Sequence, residues 1–142
     1  MKLQKATRCA LFAVLELAQD SDQQISAADI AEKYNISANH LAKVLRDLAR
    51  AGLVESMRGA GGGYRFRGNV NRITLYDIVQ MFEDFGKDEQ SRPEDGDDSD
   101  IGQALLQVTT EIDEIAVSTL KSITLKTLIK IMLRKKRAEE AA

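Results

Sequence analysis

The feature that most constrains the fold of this 142-residue chain is a glycine-rich stretch directly after an amphipathic helical pattern. Residues 57–66 read Met-Arg-Gly-Ala-Gly-Gly-Gly-Tyr-Arg-Phe, and the helical pattern covers residues 37–51. Glycine adopts positive φ without steric cost, so four glycines within five positions predict the tip of a tight hairpin. Apolar and basic residues alternate after the glycines, which predicts a strand.

Basic residues flank this hairpin and also occupy the polar side of the helix before it. Arg58 precedes the glycines, and Arg65 and Arg67 follow them. A helix that enters the major groove, followed by a basic hairpin that reaches the adjacent minor groove, is the arrangement of a winged helix-turn-helix. The sequence therefore predicts a DNA-binding wing and a recognition helix whose polar side carries Asn39, His40, Lys43 and Arg46.

A nucleotide-binding phosphate loop is the competing interpretation of the glycines. Such a loop requires a lysine followed by serine or threonine after the last glycine, or a helix that begins there. Tyr64-Arg65-Phe66 follows instead and continues as a strand pattern. The hairpin interpretation is therefore favoured.

Local signals place three helices before the hairpin. A helical pattern over residues 3–18 has apolar residues around most of its circumference, which predicts burial on more than one side. Ser26 is placed to cap a second helix, and Ser37 caps a third after a turn at residues 35–36. The inward stripe of the third helix is predicted to contain Leu41, Val44, Leu45 and Leu48. We expect a mainly α fold with a small β wing, and a winged helix-turn-helix over residues 1–85.

Charge is distributed unevenly along the chain, although the net charge is only −2. Residues 1–72 contain 11 Lys or Arg and 7 Asp or Glu, whereas residues 73–142 contain 9 Lys or Arg and 15 Asp or Glu. The excess of positive charge lies in the segment that contains the predicted recognition helix and wing, where the protein would contact the DNA phosphate backbone. No apolar run approaches the roughly 20 residues of a membrane span, and no signal peptide is evident. We expect a cytoplasmic protein without a membrane partner.

The character of the chain changes after residue 85. Residues 86–100 are acidic and contain the only proline, which predicts a flexible, solvated loop. Carboxylates can bind hard cations, but the calcium-loop pattern fails. The sixth position from Asp95 is Asp100 instead of glycine, and the twelfth is Leu106 instead of glutamate. We expect no metal site.

A long helix with a narrow apolar stripe is predicted to begin at Ile101. The heptad-like spacing of the stripe favours an antiparallel seam with a second copy of the chain, and the alternative is a helix folded back on its own domain. Residues 101–142 are accordingly predicted to be dimerisation helices. The seam would contain Leu105, Val108, Ile112 and Ile115.

Several segments resemble the Rrf-two family of winged-helix transcriptional regulators. They are Lys2-Leu3 with Arg8-Cys9-Ala10, Ile36-Ser37 with Asn39-His40-Leu41, Ala51-Gly52-Leu53-Val54, and the hairpin from Arg58 to Tyr64. The resemblance covers nearly the whole chain. It implies a homodimer whose long C-terminal helices cross, and a palindromic double-stranded operator.

The resemblance also implies where DNA is contacted. Carried over by position, the major-groove set is Asn39, His40 and Lys43, with Ser37 and Arg46 on the same helix. Arg58 and Gly59 fall at the wing tip in the minor groove, and Lys2 and Arg8 fall near the N-terminal backbone contacts. Ala42 stands where some members have an acidic base reader, so the preferred DNA sequence is expected to differ.

Cysteine content departs from the cluster-binding members, which have three cysteines before the long helix. This chain contains one cysteine, Cys9, and one histidine. Iron–sulfur clusters are normally held by several thiolates, so we expect no cluster and no cofactor. Cys9 is interpreted as a small buried hydrophobe, with redox sensing as the alternative if Lys5 and Arg8 lower the pKa of its thiol.

These patterns predict a sequence-specific DNA-binding transcriptional regulator, most simply a homodimeric repressor. The alternative is a regulator whose DNA binding is controlled by a small ligand, by Cys9 redox chemistry or by a partner protein. An enzyme is not expected, because the single histidine and the single cysteine lie on different elements and no nucleophile–base pair is evident.

Overall fold

The computed structural model describes residues 1–59, 61–85 and 93–142, and within these ranges it contains six helices and one two-stranded sheet. The order of elements confirms the predicted mainly α fold with a small β wing. In chain order they are α1 (Lys5–Ala18), α2 (Ala27–Tyr34), α3 (Ala38–Arg50), β1 (Val54–Met57), β2 (Gly63–Phe66), α4 (Leu75–Phe82), α5 (Asp100–Lys121) and α6 (Leu125–Ala141).

Helix α1 is the centre of the core and contacts α2, α3, α4 and β2. Its small residues Ala10 and Ala13 are fully buried beside Val14 and Leu17, and such side chains let neighbouring helices approach closely. The helix is therefore covered on several sides, as its sequence pattern predicts. It begins at Lys5, two residues later than the pattern suggests.

The N-terminus of α1 is capped by a residue from the end of α4. The Glu83 carboxylate accepts a hydrogen bond from the backbone N–H of Gln4 at 2.6 Å and another from the buried Thr7 hydroxyl at 2.8 Å. A carboxylate at this position also balances the partial positive charge of the helix N-terminus. Because Glu83 lies 79 residues from Gln4, no local pattern reveals this cap.

Helices α2 and α3 form the predicted helix-turn-helix. The Ser26 hydroxyl accepts a hydrogen bond from the N–H of Asp29 at 3.0 Å, and the Ser37 hydroxyl accepts one from the N–H of His40 at 3.4 Å. Asn35 ends α2 with a φ of 51°, a conformation that asparagine tolerates better than most residues. The predicted inward stripe of α3 is confirmed, since each of its four side chains is buried: Leu41, Val44, Leu45 and Leu48.

The wing is an antiparallel pair in which Val54 lies opposite Phe66. Both side chains are buried and anchor the hairpin to the helical core. Ile25 extends the sheet by exchanging backbone hydrogen bonds with Tyr64 at 2.9 and 2.8 Å. Gly63 permits this contact, because a Cβ at that position would lie 2.5 Å from the Ile25 carbonyl oxygen.

The C-terminal helices are joined to the same core. Thr74 and Asp77 form a capping box at the start of α4. The backbone N–H of Leu75 donates to the Ile123 carbonyl at 2.8 Å, and that of Leu125 donates to Ile73 at 2.9 Å. Leu125 is fully buried within the core cluster. The first turn of α6 therefore packs with residues 1–82, a contact that the helical pattern does not reveal.

The predicted acidic loop is described only in part, because residues 86–92 lie outside the described residues. Residues 93–99 form a turn that caps α5. The Ser99 hydroxyl accepts a hydrogen bond from the N–H of Gly102 at 3.0 Å, and the Asp97 carboxylate accepts one from the N–H of Glu94 at 2.7 Å. Asp100, the last residue of the predicted loop, is already helical. The division into 1–85, 86–100 and 101–142 stays a prediction.

Helix α5 leaves an apolar row exposed along one side. Its inner side contacts α4, and Lys121 near its end lies over the Tyr76 ring at 4.8 Å. None of the helices in the described ranges has the length and apolar content needed to span a bilayer. The exposed fractions along the row are 75% for Ile101, 63% for Leu105, 52% for Val108, 57% for Ile112 and 68% for Ile115.

Candidate nucleic-acid interface

The outward face of α3 carries the polar residues predicted for the major groove. Ser37, Asn39, Lys43 and Arg46 are exposed on the side opposite the buried stripe. Within the described residues no ion pair involves Lys43 or Arg46, whereas Arg50 pairs with Asp47 at 3.8 Å. The face therefore presents cations that remain available to phosphate. Ala42 is also exposed and offers only a methyl group to a base edge.

His40 is placed differently from the other residues of this set. Its side chain is half-buried, and its Nε2 is a buried atom without a hydrogen-bond partner in the part of the chain that the structure describes. The ring lines a cavity beside Cys9 and Phe12. In this conformation Nε2 is not accessible to solvent. The assignment of His40 to base reading stays a prediction.

Two arginines of the wing differ in their ion pairing: Arg58 is unpaired in the described ranges, and Arg65 is paired. Arg58 and Gly59 are exposed at the end of the hairpin, and Gly59 has a φ of 111°. The Arg65 guanidinium pairs with the Glu55 carboxylate across the two strands at 3.2 Å. Arg58 is absent from the ion pairs found in the described ranges. Arg58 is thus an exposed and unpaired cation at the tip of the wing, and its contact with a groove stays a prediction.

The N-terminal cations Lys2 and Arg8 are exposed. The Arg8 guanidinium lies 5.2 Å from the centroid of the Phe12 ring, which in turn stacks on Tyr34 with a centroid separation of 5.2 Å and an interplanar angle of 10°. This contact holds Arg8 beside the turn between α2 and α3, close to the start of the recognition helix.

An ionic network fixes the packing of α2 on α1. The Glu16 carboxylate accepts hydrogen bonds from the Lys33 ammonium at 2.7 Å and from the Tyr34 hydroxyl. Burial raises the pKa of the Glu16 carboxyl, but these two hydrogen bonds outweigh it and hold the pKa below its usual value. Glu16 lies 17 residues from Lys33 and 18 residues from Tyr34, so no local sequence pattern predicts this network.

Cys9 is buried, with 2% of its surface exposed. Burial raises the pKa of the thiol, and the nearby Lys5 charge lowers it only in part. The redox alternative required a lowered thiol pKa, and this condition is not met, because loss of hydration outweighs the effect of the Lys5 charge. A protonated, enclosed thiol is a weak nucleophile, which favours a packing role over redox sensing.

An exposed polar recognition helix, preceded by a capped helix-turn and followed by a basic wing, defines a winged-helix DNA-binding transcriptional regulator. Residues 3–131 match the family model of Rrf2, described as an iron-dependent transcriptional regulator. The chain belongs to this family.

Individual proteins that this chain resembles are also transcriptional regulators. BadM of Rhodopseudomonas palustris, named as an HTH-type transcriptional regulator, is 54% identical over 140 residues, which are 99% of this chain and 88% of BadM. The HTH-type transcriptional regulator IscR of Vibrio campbellii is 39% identical over 80 residues, 56% of this chain and 48% of that protein. The structure of CymR, the global cysteine regulator of B. subtilis, superposes with a TM-score of 0.73 at 28% identity, covering 92% of this chain and 98% of CymR.

The family description mentions iron, but the residues of this chain do not fit an iron–sulfur cluster. The sequence contains one cysteine, and Cys9 is enclosed in the core with a raised thiol pKa. The turn at residues 93–99 offers carboxylates, and no cluster of three potential ligands occurs among the described residues. Iron–sulfur clusters require several thiolates, occasionally with histidine.

We expect protein purified without oxygen to be colourless and to contain no stoichiometric iron or acid-labile sulfide. DNA binding should need no reconstitution, because the recognition helix and wing are held by apolar packing and caps. Metal analysis and a visible absorption spectrum check this expectation. A reproducible iron–sulfur absorption band that disappears in Cys9→Ala would contradict it.

Proposed function

We propose that this protein is a homodimeric repressor that binds a palindromic operator and needs no iron–sulfur cluster of its own. The observation that carries the proposal is the row of exposed cations on α3 and at the wing tip, which are free of ion pairs in the described ranges. Cations left unpaired on one recognition surface favour binding to a polyanion.

The exposed apolar row of α5 supports the homodimer. Five large aliphatic side chains, each more than half exposed, follow one another along a single helix. An uncovered apolar row of this length is costly in water, and a second copy of the same helix would cover it. A twofold dimer would place two recognition helices on two half-sites, which accounts for a palindromic operator.

The contacts divide into two kinds in this proposal. Lys2, Arg8 and Arg46 bind phosphates and set the position of the protein on the duplex. Asn39 and Lys43 read base edges in the major groove, and Arg58 enters the minor groove with Gly59 beside it. Ser37 keeps its capping role and exposes its hydroxyl at the same helix end.

Transcriptional regulation is the whole activity in this proposal, and no catalytic step is assigned. Cys9 and His40 line the same cavity, but the thiol is buried with a raised pKa, so the pair lacks the activated nucleophile of a cysteine enzyme. Binding to the chromosome would place the protein in the cytoplasm.

A selection from random duplex DNA, followed by fluorescence anisotropy at two salt concentrations, tests the proposal. We expect enrichment of a palindrome and a Kd that rises steeply with salt, since several phosphates are contacted by each dimer. Affinity that is equal for all sequences would overturn sequence-specific regulation. An enriched site without twofold symmetry would overturn the palindromic operator.

A further inference from the structure

We propose that the cavity between α1 and the α2–α3 turn is an effector site for a small monocarboxylate with an apolar body, and that its occupation weakens DNA binding. The inference rests on the proposed function, because the effector acts through the recognition helix. Control of DNA binding by a small ligand is one of the alternatives that the sequence leaves open, and this cavity would be the site of that control.

The cavity has a volume of about 170 Å³, enough for a molecule of a few carbon atoms or one ring. It opens to the surface beside the first turn of α3. Its lining combines two exposed cations, two stacked aromatic rings, a buried thiol and an imidazole: Lys5, Arg8, Phe12, Tyr34, Cys9 and His40.

The apolar part of the lining suits a flat or aliphatic body. Phe12 and Tyr34 stack face to face, and the Cys9 side chain is buried in the core beside them. The Tyr34 hydroxyl is directed to Glu16, so its ring contributes chiefly apolar surface to the cavity. The Glu16 carboxylate is held by Lys33 and Tyr34, and it is not among the groups lining this cavity.

The polar part of the lining suits a single carboxylate. The Arg8 guanidinium is held over Phe12 at the mouth, and Lys5 lies on the same helix one turn earlier. The His40 Nε2 is buried without a partner among the described residues, and an unpaired buried polar atom is unfavourable. A carboxylate has two acceptor oxygens, one for the arginine and one for an imidazole N–H.

Other ligand classes fit less well. A cation would meet Lys5 and Arg8 at the mouth. A nucleotide exceeds the volume, and a phosphate dianion would lie against two aromatic rings and a buried thiol, where its charge is poorly solvated. A neutral apolar molecule would leave His40 Nε2 unpaired. A monocarboxylate alone uses the cations, the imidazole and the apolar wall together.

Occupation of the cavity would affect DNA binding through two residues. Arg8 is a proposed phosphate contact, and a bound carboxylate would neutralise its charge. His40 lies in the first turn of α3, where its backbone N–H donates to the Ser37 cap, and Asn39 precedes it. A ligand that binds the free protein more tightly than the DNA complex must lower DNA affinity by the same factor.

The experiment uses the full chain and the duplex selected from random DNA. Phenylacetate and hexanoate are the probes, and 2-phenylethanol is the neutral control. Ligand-observed NMR measures binding without DNA, and anisotropy measures operator affinity with and without 5-fold to 10-fold excess of ligand over its Kd. We expect at least one carboxylate to bind and to raise the operator Kd about fivefold or more, whereas 2-phenylethanol does neither.

Phe12→Leu removes the stacked ring but keeps an apolar side chain, and Phe85→Leu is the matched control outside the cavity. Phe12→Leu should weaken carboxylate binding, measured by NMR without DNA, at least tenfold, and Phe85→Leu should leave carboxylate binding unchanged. Circular dichroism confirms folding, and His40→Leu, read by ligand binding alone, supplies a second test with the same expected loss.

Several outcomes would overturn the inference. They are the absence of binding by both carboxylates at millimolar concentration, equal binding of 2-phenylethanol, or binding that both Phe12→Leu and His40→Leu leave unchanged. In each case operator binding by the unmodified protein would still support the proposed function. Conversely, carboxylate binding by a protein that fails to bind any selected duplex would overturn the proposed function and, with it, the regulatory part of this inference.

Discussion

Replacing Leu105 and Ile112 together by aspartate is expected to convert the protein to soluble monomers. Both side chains are more than half exposed on α5, so the change should leave the core of each chain intact. In a dimer, each aspartate would carry an unpaired charge into a desolvated seam, at an effective cost of several kcal/mol per ion. Operator affinity should fall steeply, because a monomer can bind only one half-site.

Light scattering coupled to size-exclusion chromatography measures the mass, and circular dichroism checks helical content. Gln107→Asp is the matched control, since Gln107 is exposed on the same helix but lies off the apolar row. The control should remain a dimer. An unmodified protein that runs as a monomer at micromolar concentration would refute the seam, whatever the variants do.

Arg58→Ala is expected to weaken operator binding by about 1–3 kcal/mol and to relax preference at the outer, A·T-rich positions of each half-site. The physical reason is the strong negative potential of a narrow minor groove, into which the exposed wing tip would carry the guanidinium. Asn39→Ala should instead relax preference at one or two inner positions. Lys2→Ala should weaken binding evenly and lower the salt slope by about one unit.

Binding-site selection on each variant at two salt concentrations distinguishes these roles. Arg65→Ala is a useful comparison on the same hairpin, because Arg65 is paired with Glu55 and should affect the sequence profile less than Arg58. If all of these substitutions shift affinity by similar small amounts and leave the profile unchanged, they are general surface charges. Full affinity with an unaltered profile in Arg58→Ala would show that the wing assignment is mistaken.

The elements of the DNA-binding unit could be predicted because their signals are local. Ser26 and Ser37 cap helices that begin at the next residue, and the 3–4 spacing of Leu41, Leu45 and Leu48 defines a buried stripe. The strands around the glycines also follow from neighbouring residues. Such signals depend on backbone geometry within a few positions, so they can be recognised in the sequence without knowledge of the tertiary fold.

Contacts between distant residues could not be predicted in this way. The environment of Cys9 depends on the helices that surround α1, and their burial effect on the thiol pKa exceeds that of Lys5. The burial of His40 Nε2 depends on how α3 packs against neighbouring elements such as α1. A residue type on a helical wheel indicates a side, but it does not decide whether a particular ring atom faces solvent or a cavity.

The sequence by itself determined the class of this protein: capped helices, a polar recognition face and a glycine-rich basic hairpin are local patterns, and together they specify a winged helix. Only the tertiary structure decided how these parts are held and connected. Glu83 caps α1 from the end of α4, and Leu125 of α6 completes the core. A long-range contact depends on the three-dimensional path of the chain, and side-chain accessibility, pKa and cavities follow from that path alone.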